Sequence, residues 1–151
     1  MRFRMLLLLV LCALLGASAV APAVSSGATA KQRMLSAINS ARAAHGAPKV
    51  RMHRPLTRTS TRYARFMVAN DVWAHAANPA SGSRMGSVGE ILGMTTTPGP
   101  APRAIVRAWL GSAVHRPILL DRQFRLVGIG LGHGDMQGSM AWVWVVRFGA
   151  R

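Results

Sequence analysis

The chain has 151 residues, half of them hydrophobic, with 19 Lys and Arg against four acids and a formal charge of +15. A single cysteine excludes a disulfide scaffold, and a length of this order leaves room for one core but not for two domains. So strong a positive field works against cationic partners and favours anionic ones.

The first thirty residues read as a targeting segment. Arg2 and Arg4 form a positive start, Met5 to Leu15 is an unbroken apolar run, and Ala17-Ser18-Ala19 is the small-x-small pattern that a signal peptidase accepts. The expected organisation is a signal peptide at 1–19, a disordered leader at 20–30 and one domain at 31–151. Ala28-Thr29-Ala30 offers a second cleavage point. An uncleaved anchor is the competing reading, but Gly16 and Pro22 make a poor bilayer span. Membrane contact is expected only through that segment, if it stays attached. Cys12 lies inside it, after Leu11 rather than after the small residue of a lipoprotein signal.

Without Arg2 and Arg4, 17 Lys and Arg face Asp71, Glu90, Asp121 and Asp135, a net charge of +13. In a secreted or periplasmic protein the anionic partners would be envelope polymers or lipids, and no nucleic acid is expected. A monomer is expected.

A first helix is predicted from Gln32 to His45, with Met34, Leu35, Ile38 and Ala41 on one side and Gly46 and Pro48 ending it. A second runs from Pro55 to Asn70 with Leu56, Tyr63, Phe66 and Met67 on its apolar face. Arg54, Arg58, Arg62 and Arg65 line the opposite face, either as a solvated surface or as an anion-binding stripe. Residues 71–100 are rich in Gly, Ser, Pro and Thr, with a short strand at Ser87–Met94. A third helix fits Pro102 to Leu110, with Ile105, Ala108 and Trp109 inward. Arg125 to Leu131 alternates only loosely. Ser139 to Phe148 is apolar on both faces and reads as a covered strand. His133 to Gly138 carries hairpin-turn residues. Helices followed by a short antiparallel sheet give an α+β class.

Glu90 is the only glutamate, set among apolar neighbours. A carboxylate there is either paired or working. Together with His75 and His115 it makes a donor set suited to zinc, but separations of 15 and 25 residues do not imply convergence. Ser112, three residues before His115, would be a nucleophile–base pair only with both on one helical face. His45 and His53 read as solvated, His133 as part of the turn, and Trp142 and Trp144 as core.

Several motifs in order resemble the CAP superfamily (cysteine-rich secretory proteins, antigen five, pathogenesis-related one), in particular its bacterial SCP-like branch. They are Ala37-Ile38-Asn39-Ser40-Ala41-Arg42, Trp73-Ala74-His75, Gly89-Glu90-Ile91, Ala108-Trp109-Leu110, Ser112-Ala113-Val114-His115-Arg116 and Arg147-Phe148-Gly149. The resemblance implies an α-β-α sandwich, with a sheet of about three strands flanked by helices around a cleft. It assigns His75, Glu90 and His115 to that cleft, where some members hold a divalent metal such as zinc. The family's second glutamate would fall near Ser112 and is missing. The expected function is an exported, non-catalytic binding or accessory domain at the cell envelope. The alternatives are a metal-dependent hydrolase of cell-wall or peptide substrates and a cationic membrane-active protein.

Overall fold

The computed structural model describes residues 29–151, so the signal segment lies outside the described residues. Helix α1 (Ala30–Ala44) is followed by strand β1 (Arg51–Met52), helix α2 (Arg54–Ala69), strand β2 (Ser87–Thr95) and helices α3 (Pro102–Gly111) and α4 (His115–Leu120). Strands β3 (Leu126–Met136) and β4 (Ser139–Ala150) close the chain. They form a four-stranded mixed sheet in the order β1-β3-β4-β2. The expected antiparallel core of β2, β4 and β3 is present; β1 adds a short parallel edge on β3. α1, α3 and α4 cover one face and α2 covers the other, which makes the α-β-α sandwich. Among the described residues no helix is long and apolar enough to cross a membrane.

The two faces are packed by opposite means. Towards α1, α3 and α4 the strands present Ile91, Val127, Ile129, Trp144, Val146 and Phe148, which meet Met34, Ile38, Ile105, Trp109 and Leu119. Both indoles find an acceptor, as buried tryptophans must: Trp109 Nε1 donates to Leu92 O and Trp144 Nε1 to Pro100 O, each at 2.7 Å. Towards α2, β3 presents glycine at every second position. A Cβ on Gly128 would stand 2.2 Å from Leu56 C, and one on Gly130 2.2 Å from Ser60 O. The helix backbone therefore rests directly on the strand backbone. This explains why β3 alternated only loosely in the sequence: one of its faces has almost no side chains.

The contact also decides which side of α2 turns inward. Its buried residues are Leu56, Thr59, Ser60, Ala64 and Met67, mostly small. Phe66, expected on the apolar face, is instead 48% exposed and stacks on the half-buried Tyr63. In α3, Val106 is buried and Ala108 exposed, the reverse of the expected choice at those two positions.

Polar ties fix the connections. Thr29, assigned by sequence to a disordered leader, caps α1: its hydroxyl accepts from Gln32 N, and Gln32 Oε1 accepts from Thr29 N. Asn39 bonds both the N–H and the C=O of Val50 at 2.9 Å. Arg42 is fully buried and donates to the carbonyls of Pro48, Leu119, Asp121 and Phe124. The β3–β4 turn is tighter than expected. Only Gln137 and Gly138 lie outside the strands, both at positive φ (55° and 78°), the pairing that matches strand twist. His133 is consequently in β3, stacked on Trp142 with ring centroids 4.0 Å apart.

Candidate functional site

Glu90 and Arg147 face each other across the antiparallel β2–β4 ladder, so both side chains rise from the sheet on the α2 side. Arg147 Nε donates to Glu90 Oε2 at 2.8 Å, and only 5% and 3% of the two side chains are exposed. Residues 70–86, between α2 and β2, bring His75 over this pair. Its Nδ1 lies 3.0 Å from Glu90 Oε1, which also accepts from Ala76 N at 2.9 Å. The His75 side chain itself is 58% exposed. Tyr63 of α2 closes the group from above. Its ring lies 5.4 Å from the Arg147 guanidinium, and its hydroxyl donates to Ala74 O at 2.9 Å. Burial and then the Glu90 carboxylate push the Tyr63 phenol up.

His115 opens α4 beside this cluster. Burial, and secondly the proximity of His75, hold its imidazole below the ordinary value. Its Nδ1 is 2.8 Å from Ser112 Oγ. The Ser112–His115 pair is therefore in contact, although it spans the α3–α4 junction instead of sharing one helical face. No carboxylate orients the imidazole, because Glu90 is bonded to His75, Ala76 and Arg147. A nucleophile–base pair needs such an orienting group to act as a triad.

His75 and Glu90 thus meet in one cluster with Arg147, which their sequence spacing did not reveal, while His115 bonds Ser112 and is linked to His75 only through charge. His75, Glu90 and His115 do not stand together here as a ligand group for the divalent metal implied for this cleft. Both oxygens of Glu90 are engaged by donors, and one of those donors is a fixed cation. Among the described residues, no group of three or more His, Cys, Asp or Glu could hold a metal ion. Sequence reasoning missed Arg147. The signal was present: a lone arginine inside Val143-Trp144-Val145-Val146-Arg147-Phe148 has to find a buried counter-charge, and Glu90 is the isolated acid in equally apolar surroundings.

Beside the cluster, a recess of about 330 Å³ is lined by Thr59, Arg62, Tyr63, Phe66, Asn78 and Arg147, among others. The predicted stripe lies along α2: Arg54, Arg58, Arg62 and Arg65 are all exposed. His53 is not solvated as expected. Its Nδ1 is buried without a hydrogen-bond partner, and burial, then Arg151 and Arg51, hold its imidazole below the ordinary value.

A four-stranded mixed sheet between α2 on one face and α1, α3 and α4 on the other defines the class of fold. Residues 35–148 match the family model of the cysteine-rich secretory protein (CAP) family, and the chain belongs to that family. No curated protein matches it significantly. Among solved structures it is similar to an outer surface protein of Borrelia burgdorferi, with 19% identity and a TM-score of 0.64, covering 80% of this chain and 92% of that one. An extracellular SCP-domain protein of Bacillus anthracis gives 17% identity and a TM-score of 0.63, covering 80% of this chain but 40% of that one. NaASP2, solved with Zn2+, gives 15% identity and a TM-score of 0.62, with coverage of 83% and 82%. Identities this low carry the fold alone.

Proposed function

We propose that this CAP domain is exported and works at the cell envelope or outside the cell by binding, without turning over a substrate. The observation that carries this reading is the engagement of Glu90, whose two oxygens are held by Arg147 on one side and by His75 and Ala76 N–H on the other. Three donors, one of them a fixed cation, favour the ionised carboxylate and tie its orientation, which suits a structural acceptor better than a group that must take up a proton. Here the carboxylate organises the cleft: it orients His75 and holds Arg147 under Tyr63. Export is supported by the Arg2/Arg4 start, the apolar run and Ala17-Ser18-Ala19. The outer-surface and extracellular descriptions of two structural relatives agree with it.

The test is a hydrolysis screen of the purified domain on peptidoglycan fragments and peptides, with and without added zinc, alongside calorimetric zinc titration. The expected result is no turnover under either condition and zinc binding no tighter than two histidines alone give. Zinc-dependent turnover that disappears in Glu90→Gln would overturn the reading.

A further inference from the structure

The four arginines of α2 line a groove of about 570 Å³ together with Met52, Thr57 and Thr61. Spacings of four, four and three residues spread them over about 16 Å of helix, with a rise of about 6 Å between the first three. None of the four donates a hydrogen bond or forms an ion pair among the described residues. Arg42, Arg116, Arg122, Arg125 and Arg147 all bond to carbonyls or to Glu90. No acid lines the groove. Lys31 extends the cationic row: its ammonium donates to Thr61 Oγ1 at 2.7 Å, and burial, then Arg65, hold its pKa down.

Such an arrangement works against the helix that carries it. Like charges three or four residues apart repel, each pair costing a few tenths of a kcal/mol. The N-terminal turn of α2 adds positive potential of its own, since it has no acidic residue and no side-chain cap. Two buried polar atoms at this end, Thr57 Oγ1 and His53 Nδ1, have no partner, and Thr57 lines the groove. The groove thus gathers four guanidinium groups and the Thr57 hydroxyl, all of them able to donate to an anion.

We infer that this groove binds a linear polyanion of repeating, singly charged phosphoryl groups, laid along α2 beside the His–Glu–Arg cleft and not within it. Guanidinium forks match phosphate geometry, and a phosphate has oxygens enough to meet two forks at once. A row of cations along a groove suits a strand of repeating charges. A bilayer-seeking helix would instead set a broad apolar face beside its cations. Met52 is the only exposed large hydrophobic residue lining this groove, and Phe66 lines the neighbouring recess, which shares Arg62 with it.

The test uses medium-chain inorganic polyphosphate as probe, with orthophosphate and phosphatidylglycerol vesicles as separate arms. The wild-type domain, the variant with Arg54, Arg58, Arg62 and Arg65 changed to Gln, and a control with Lys49, Arg84, Arg103 and Arg107 changed to Gln are compared by calorimetry. The two variants lose equal charge, and all eight positions are exposed. The expected result is at least a tenfold loss of polyphosphate affinity in the groove variant and a small loss in the control. The wild-type logarithmic salt slope should be about −3, from four contacts at about −0.7 each, and fall towards zero in the groove variant. Should the quadruple variant not fold, Arg58→Gln with Arg62→Gln serves, with half the slope lost. Equal weakening in both quadruple variants would overturn the inference, as would vesicle binding without polyphosphate binding, or no binding in any arm. Each of these results leaves the reading of the cleft intact.

Discussion

The two faces of the sheet solve the same packing problem with opposite chemistry. On the α1, α3 and α4 side, large side chains interdigitate, and the polar groups buried there, such as the Arg42 guanidinium, bond to backbone carbonyls. On the α2 side β3 offers glycine and the helix comes down to backbone contact, while the cleft cluster Glu90–Arg147–His75 lies on β2 and β4 beside Tyr63 of the helix. The first face is held by interlocking large side chains; the second is held by backbone contact of α2 on β3, by a smaller apolar cluster around Met67, Leu92, Val143 and Val145, and by one charge pair. A loss of atoms should therefore injure the first most, whereas the second should be injured by added atoms or by loss of charge.

The largest effect expected on the α2 side is from Glu90→Gln. It leaves the Arg147 guanidinium buried without its counter-charge, a change worth about 3–5 kcal/mol of stability. The double variant Glu90→Leu with Arg147→Met removes both charges and should recover most of that loss, because paired apolar replacements of similar volume are near neutral or better. Denaturant unfolding of the single and double variants decides it. Equal destabilisation by both would mean that shape rather than charge holds the cleft.

Next is Gly130→Ala. Its Cβ would lie 2.2 Å from Ser60 O and 2.3 Å from Ser60 C, backbone atoms that cannot swing aside. A loss of about 3 kcal/mol, the upper end for over-packing, is expected. Gly111→Ala, with nothing within 4 Å, should change stability by no more than about 0.5 kcal/mol. The two melting curves together test whether the close approach is specific to β3.

The smallest effect separates the faces by pH. His115 and His53 are both held below the ordinary imidazole value, so the unfolded chain binds their protons more readily. Their contribution is fully present above about pH 6.5 and is lost as pH falls through the lower folded-state values. Melting temperature should decline modestly between pH 7.5 and 5.5 at constant ionic strength, and His53→Gln with His115→Gln should flatten the slope. A rise on acidification would contradict the assignment.

How much of this was legible depends on where the information lay. α1, α2, α3, β2 and β4 carry their own periodicity, and their predicted bounds fall within a few residues of the observed ones. The two-residue β1 and the six-residue α4 have too little pattern to read; α4 also contains Pro117 near its start. The face of α2 was misjudged at Phe66 because periodicity shows which residues are apolar, not how near the sheet comes. The β3 glycines carried that second fact. The cleft residues His75, Glu90 and His115 came from a motif resemblance, since which of them meet is decided by the fold and not by spacing. Arg147 was missed for the same reason: its pairing with Glu90 is a property of the β2–β4 ladder.

The capping box at the start of α1 bears on how the chain can be trimmed. Thr29 and Gln32 satisfy each other's backbone N–H groups, so the helix has its own beginning and needs nothing upstream to hold it. A peptidase cutting after Ala19 leaves that beginning untouched, with a short spacer ahead of it. One cutting after Ala30 would remove the cap and expose the first-turn amides next to a new terminal ammonium, a cation at the end of the helix that repels cations. The two candidate cleavage points are thus unequal once the helix is folded: Thr29 is the first residue that maturation cannot spare.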